Sequence, residues 1–224
     1  ESAAFDRQNP ANSTSNYETR HSFTFATNFT EEFIDGFDTQ LGVFFSARSG
    51  RPYSLTFDGG GVFNDSSSGN DNALLYIPTG VNDPNLSPSS DAAAVQSLLN
   101  YVAGTNCGFT AGQTIRRNTC TEDWVFDMDL RISQEIPGPG RLFGVEDKIE
   151  IFADVDNFLN VLNNGWNTVA PRGVFGDGQL VDVVDGKVDG DGRYIISGVN
   201  PDDEPNISTT GSAWRVQLGV RYEF

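Results

Sequence analysis

Trp214-Arg215-Val216-Gln217-Leu218-Gly219-Val220-Arg221-Tyr222-Glu223-Phe224 is the stretch from which the fold is read. Trp214, Val216, Leu218, Val220, Tyr222 and Phe224 alternate with Arg215, Gln217, Gly219, Arg221 and Glu223. Successive side chains of a strand point to opposite faces, so this order gives one apolar, aromatic face and one polar face. The stretch is long for a strand of a soluble domain, has aromatics at both ends and terminates on Phe224. The same period recurs four times upstream. Trp124, Phe126, Met128, Leu130 and Ile132 alternate with Val125, Asp127, Asp129, Arg131 and Ser133. Ile149, Ile151, Ala153 and Val155 oppose Lys148, Glu150, Asp154 and Asp156, with Phe152 as the exception. Leu41, Val43, Phe45 and Ala47 oppose Gly42, Ser46 and Arg48; Phe23, Phe25 and Phe29 oppose Ser22, Thr24 and Asn28.

The connections between these segments alternate in length. Thr30–Thr39 is short, as is the stretch opening with Pro137-Gly138-Pro139-Gly140-Arg141; Leu55 to Thr121 and Asn160 to Ser212 are long. Compact soluble domains rarely carry two irregular connections of such size. Transmembrane barrels join their strands by short periplasmic turns and longer extracellular loops. The expected fold is therefore all-β, an antiparallel transmembrane β-barrel segment. Trp124, Phe126, Met128, Leu130, Ile132, Ile149, Ile151, Trp214, Val216, Leu218, Val220 and Tyr222 would face lipid, with Phe224 at the periplasmic rim. The alternative is a soluble secreted β-sandwich. Within the first long connection, Ser89-Ser90-Asp91 before Ala92–Tyr101 reads as an N-capped helix, with Val95, Leu98, Leu99 and Val102 as its apolar stripe and Gly104 as its stop.

Composition narrows the function. A net charge of -17 argues against a nucleic-acid partner, since phosphate binding needs clustered Lys and Arg. No apolar run reaches the roughly 18 residues of a membrane helix, which leaves strands as the way across a bilayer. The N-terminal Glu1-Ser2-Ala3-Ala4-Phe5 lacks the layout of a signal peptide. Cys107 and Cys120 lie close together in one polar stretch and suggest a disulfide made in an oxidising compartment; two free thiols are the alternative. Asp182, Asp185, Asp189 and Asp191, spaced by glycines in Asp182-Val183-Val184-Asp185-Gly186-Lys187-Val188-Asp189-Gly190-Asp191-Gly192-Arg193, are candidate calcium ligands. The blander reading of that stretch is a solvated acidic hairpin with Asp-Gly turns. The spacing is not that of an EF-hand, and calcium is the one cofactor suggested. With His21 the only histidine, a catalytic triad has little material and the chain reads as no enzyme. Asp127, Asp129, Glu150, Asp154 and Asp156 are expected to pair with Arg131, Arg215 and Arg221, or to meet a plug.

The final Ala213–Phe224 stretch resembles the last strand of TonB-dependent receptors. Ile151-Phe152-Ala153-Asp154-Val155-Asp156-Asn157-Phe158-Leu159-Asn160 is similar to their penultimate strand and its exit, and Ser49-Gly50-Arg51-Pro52-Tyr53-Ser54 to the exit of an earlier strand. Leu75-Tyr76-Ile77-Pro78-Thr79-Gly80 with Asn82-Asp83-Pro84 resembles the Oar-like members of that family. The resemblance implies that residues 1–224 are the C-terminal part, the last five or so strands, of one barrel of about 22 strands, with the plug and the remaining strands outside this chain. It implies a bacterial outer-membrane location, long loops outside and the C-terminus in the periplasm. It further implies a receptor that captures an extracellular ligand and is opened by TonB acting through the plug. Phe224 would then serve as the C-terminal assembly signal. A large ligand fits the Oar-like type best, though its identity is not readable. A surface barrel serving adhesion, S-layer attachment or cell contact is the alternative function.

Overall fold

The computed structural model describes residues 6, 9, 11–58, 62, 73–168, 180–201 and 209–224. Strand accounts for 44% of it and helix for 13%, which places the chain in the all-β class. Two compact units divide it: residues 20–49, 124–170 and 207–224 form one, and residues 1–19, 50–123 and 171–206 the other. We call them the wall unit and the excursion unit. The strands in chain order are β1 (Ser22–Ile34), β2 (Phe37–Arg48), β3 (Pro52–Asp58), β4 (Tyr76–Ile77), β5 (Gln113–Thr114), β6 (Cys120–Thr121), β7 (Val125–Pro137), β8 (Lys148–Asp156), β9 (Leu180–Val188), β10 (Tyr194–Ile196) and β11 (Arg215–Glu223). Helix α1 spans Ala92–Ala103 and the short α2 spans Phe158–Leu162.

The wall unit is a five-stranded sheet in the order β1-β2-β7-β8-β11, antiparallel throughout. These strands contain the five alternating segments of the sequence. Neighbours in the sheet are also neighbours in the order in which the strands of this unit occur, an up-and-down meander. At one end of the strands the connections are tight. Asp35 and Gly36 join β1 to β2, Gly36 taking the positive φ of 76° that a turn of this kind demands of glycine. Between β7 and β8 the chain makes a 3-10 turn over Pro139–Phe143. At the other end the chain leaves after Ser49 and again after Asn157 for its long connections. Among the described residues both β1 and β11 are edge strands.

The excursion unit departs from the expected irregular loops. It holds a four-stranded sheet, β10-β9-β3-β6, beside the β4–β5 pair and helix α1. Strand β3 pairs in parallel with β9, Ser54 opposite Leu180, and so joins chain segments far apart in sequence. Tyr53, Leu55, Phe57, Leu75, Ile77, Leu98, Val181 and Ile196 are among its fully buried side chains. Strand β3 is buried on both faces, and its polar members are satisfied: the Ser54 hydroxyl donates to Asn118 Oδ1 at 3.0 Å and that of Thr56 to the Val181 carbonyl at 3.2 Å. Helix α1 begins as expected, Asp91 accepting from the Ala93 amide at 2.8 Å, and stops at Gly104. Its buried stripe is Ala94, Val95, Leu98 and Val102.

Candidate functional site

Register fixes the two faces of the wall sheet. One row across all five strands reads Phe29, Leu41, Ile132, Ala153 and Leu218; the next reads Thr27, Val43, Leu130, Val155 and Val216. Phe25, Phe45 and Met128 follow, then Phe23, Ala47 and Phe126. The sequence-predicted apolar residues of β7, β8 and β11 therefore share one face. That face carries large exposed side chains: Leu218 is 76% exposed, Val220 70%, Phe23 59% and Ile132 52%. Towards the tight turns the first three strands carry Glu31, Thr39 and Gln134 in one row, Thr39 donating to the Gln134 side-chain oxygen. Beyond Gln134, Ile136 returns β7 to the apolar pattern. On β8 and β11 the apolar field runs on without interruption through Ile151 and Val220 to Ile149 and Tyr222.

The opposite face is charged and partly paired: of the five carboxylates expected to meet arginines, Glu150 and Asp154 do so, while Asp129 accepts from the Asn157 amide and no ion pair is found for Asp127 or Asp156 among the described residues. Arg131 meets Asp154 at 3.0 Å, Arg221 meets Glu150 at 3.2 Å, and Lys148 lies 2.6 Å from Glu135 and 3.4 Å from Glu223. Arg131–Asp154, Arg221–Glu150 and Lys148–Glu223 are direct cross-strand partners. Phe152, the exception to the alternation, belongs to this face. Its ring covers Gly219, where a Cβ would come within 2.2 Å of Phe152 Cζ, and the Arg131 guanidinium lies 4.4 Å from the ring centre. Glycine on the last strand makes room for an aromatic ring on its neighbour.

Two asparagines organise the exit from β8. Asn157, at a φ of 54°, donates through its amide nitrogen to Asp129 Oδ1 at 2.9 Å and through its side chain to the Ser212 carbonyl at 2.8 Å. Asn160 is buried and donates to the carbonyls of Asn164 and Trp166, both at 3.0 Å. At the tight-turn end Asp147 accepts from the amides of Gly140 and Arg141, at 2.7 and 3.0 Å, and from the Tyr222 hydroxyl at 2.8 Å. Burial acts to raise its pKa, but the Tyr222 hydroxyl and those amides outweigh it and hold the carboxyl below its ordinary value. A Cβ on Gly138 or Gly140 would collide with this carboxylate. Sequence reasoning passed over Asp147, whose role appears only once Tyr222 is brought to the turn.

In the excursion unit Asp83 is the hub of the Tyr76–Asn85 stretch. It accepts from the Tyr76 hydroxyl at 3.0 Å, the Thr79 amide and hydroxyl at 2.7 and 2.9 Å, and the Asn85 amide at 2.8 Å. Burial pushes its pKa up, but these donors prevail and the carboxyl stays below its usual value. Cys107 and Cys120 are joined by a disulfide, and neither thiol is free.

Of the four candidate calcium ligands, Asp189 and Asp191 are engaged by Arg193. Asp189 receives the amides of Asp191 and Arg193, each at 2.9 Å, and the Arg193 Nε at 3.1 Å; Asp191 receives Arg193 Nη2 at 2.8 Å. The Arg193 amide is the chief cause of the lowered pKa of Asp189. The side chains of Asp182 and Asp185 lie outside the described residues. No group of three or more metal-binding side chains occurs among the described residues.

A cleft of about 890 Å³ opens in the excursion unit. Asn12, Asn85, Thr114, Arg116, Arg117 and Tyr194 are among the residues that line it. Comparison with known proteins adds nothing to this geometry. No family model, curated protein or solved structure matches the chain. The sites therefore rest on the residues themselves: an exposed apolar face, a partly paired polar face, and a cleft that sequence reasoning did not anticipate. Arg116 and Arg117 were its only advance signal, two adjacent cations in a strongly acidic chain.

Proposed function

We propose that this chain is the C-terminal wall of a bacterial outer-membrane β-barrel of the TonB-dependent receptor type, its long connections extracellular and its tight turns and C-terminus periplasmic. The observation that carries the reading is the exposed apolar face that runs across all five strands of the wall sheet. In water, such a face of large side chains is an aggregation hazard; in lipid, the same face is stable. The paired charges of the opposite face suit a hydrated lumen. Edge strands β1 and β11 need partners, because an open edge is not tolerated in hydrocarbon. The other strands of the barrel supply them in this reading. The receptor role, with a plug moved by TonB and an extracellular ligand, follows from the resemblance of the strand and exit motifs.

A face-selective substitution tests the membrane placement. Leu218→Arg should sharply lower the amount of protein recovered in the outer membrane, since an arginine facing mid-bilayer lipid costs about 2–4 kcal/mol. Gln217→Arg, on the opposite face, should be tolerated. Equal recovery of the two variants, or release of the unaltered protein without detergent, would refute the proposal.

A further inference from the structure

We propose that the 3-10 turn between β7 and β8 is a membrane-interface anchor, whose Leu142 and Phe143 side chains sit among the lipid headgroups and upper acyl chains of the periplasmic leaflet. The inference rests on the membrane reading of the wall sheet and adds to it a lipid contact outside the strands. It begins with the side of the sheet on which the turn lies. Tyr222 faces the apolar side, opposite Ile149, and its hydroxyl donates to Asp147 at 2.8 Å. The Asp147 carboxylate in turn receives the Gly140 and Arg141 amides at 2.7 and 3.0 Å. Phe37 continues the alternation of Leu41 and Thr39 onto the same side, and the Arg141 guanidinium lies over its ring at 4.6 Å. Two separate contacts therefore hold the turn against the apolar side of the wall and not the charged side.

The backbone of the turn also suits a place without water. A backbone group at the edge of lipid must find its partner within the protein. Asp147, 2% exposed, serves the amides of Gly140 and Arg141 with its carboxylate and that of Gly138 with its carbonyl, at 3.1 Å. The amides of Gly144 and Val145 donate to the carbonyls of Arg141 and Gly140 at 3.2 and 3.0 Å, and Pro139 has no amide to satisfy. On this closed backbone Leu142 is 86% exposed and Phe143 85%. In water two adjacent large apolar side chains on such a turn stabilise nothing. At an interface they gain apolar burial, and the turn is already ordered, so little conformational freedom is lost on insertion.

The surroundings favour lipid as the occupant. The turn stands at the same end of the sheet as Tyr222 and the exposed Phe224, on the side where the apolar field runs down to that end. Arg141 is the only cation from Pro137 to Asp147, its guanidinium is held over the Phe37 ring, and Glu146 offsets its charge. Apolar burial, and not attraction to anionic headgroups, therefore carries the anchoring.

The test places a fluorophore on an introduced cysteine, Leu142→Cys or Phe143→Cys, in the whole assembly that contains this chain, reconstituted in phosphatidylcholine vesicles. Cys107 and Cys120 are joined, so the new thiol is the one in this chain that reacts. Quenching is read with lipids that carry a nitroxide near the headgroup or near the chain end, and with iodide from the water. Both turn labels should be quenched at least about twofold more by the headgroup nitroxide than by the chain-end one, and iodide should reach them poorly. A Leu218→Cys label reports on the wall itself and should show the reverse preference. Adding phosphatidylglycerol to the vesicles should leave the turn labels unchanged. Nitroxide quenching at Leu218 with none at either turn position would overturn the inference and leave the membrane reading of the wall standing. Absence of nitroxide quenching at all three positions would overturn both. Turn labels shielded from nitroxide and iodide alike would reveal a protein cover there and overturn the inference as well.

Discussion

A single carboxylate can hold a long stretch of chain, and Asp83 does so for Tyr76–Asn85. It is 5% exposed and has a donor on every side: two backbone amides and two hydroxyls. Removing the acceptor leaves those donors buried, so Asp83→Ala should destabilise the excursion unit by about 3 kcal/mol in urea unfolding. The same residue sets an acid limit. Its carboxyl titrates below the ordinary value in the fold, so the folded state gains from it fully above the unfolded pKa, near about 3.9. That gain is lost as pH falls through the lower folded value. Unfolding free energies stepped from pH 6 towards pH 2 should fall in this window for the unaltered protein. In Asp83→Asn the component due to this carboxyl should be absent; an unchanged acid profile would show that Asp83 is not the group responsible. Gly219 and Phe152 make a different kind of residue pair, one of shape. The alternation of β8 looks broken at Phe152 until the ring is seen lying over the missing side chain of Gly219.

At the scale of elements, the disulfide ties the segment after α1 to β6, and through β6 to the buried strand β3. By the chain-entropy relation a loop of this length contributes about 3 kcal/mol. Replacing both cysteines with serine should therefore lower the unfolding midpoint of the excursion unit, and the unaltered protein should show the same loss under reductant. Mass spectrometry finding two free thiols in the protein as isolated would contradict the pairing. Elements were legible in the sequence where one periodicity ruled. The five wall strands carry period-2 alternation through 9 to 13 residues each, and α1 has Asp91 and Gly104 at its ends. Strand β3 was legible in principle, since Tyr53, Leu55 and Phe57 alternate with Ser54 and Thr56. It was passed over because its seven residues follow a strand exit, and because its partner β9 lies more than a hundred residues on. Strands β4, β5 and β6, at two residues each, leave no periodicity to read. The cleft was hidden for the same reason: Tyr76, Gln113 and Thr114, which help line it, belong to these short strands.

For the whole molecule, the wall proposal predicts a division of labour at the C-terminus. Tyr222 is fastened to the β7–β8 turn through Asp147, whereas Phe224 is 93% exposed, its ring 5.7 Å from that of Tyr222. Deleting Phe224 should lower the amount of assembled barrel more than uptake per assembled molecule, measured as surface-exposed protein beside ligand uptake. Normal assembly with lost uptake would place Phe224 in the transport step and displace the C-terminus from the rim. The parallel pairing of β3 with β9 reaches further than stability. Ser54 comes from the first long connection and Leu180 from the second, so both connections supply one interior, the first most of its buried side chains and the second Val181, Val183, Val184 and Ile196. Neither can be trimmed, exchanged or grafted alone without baring an apolar strand in the other. Variation in one connection at this interior would have to be matched by variation in the other, and the two connections would be inherited as a block.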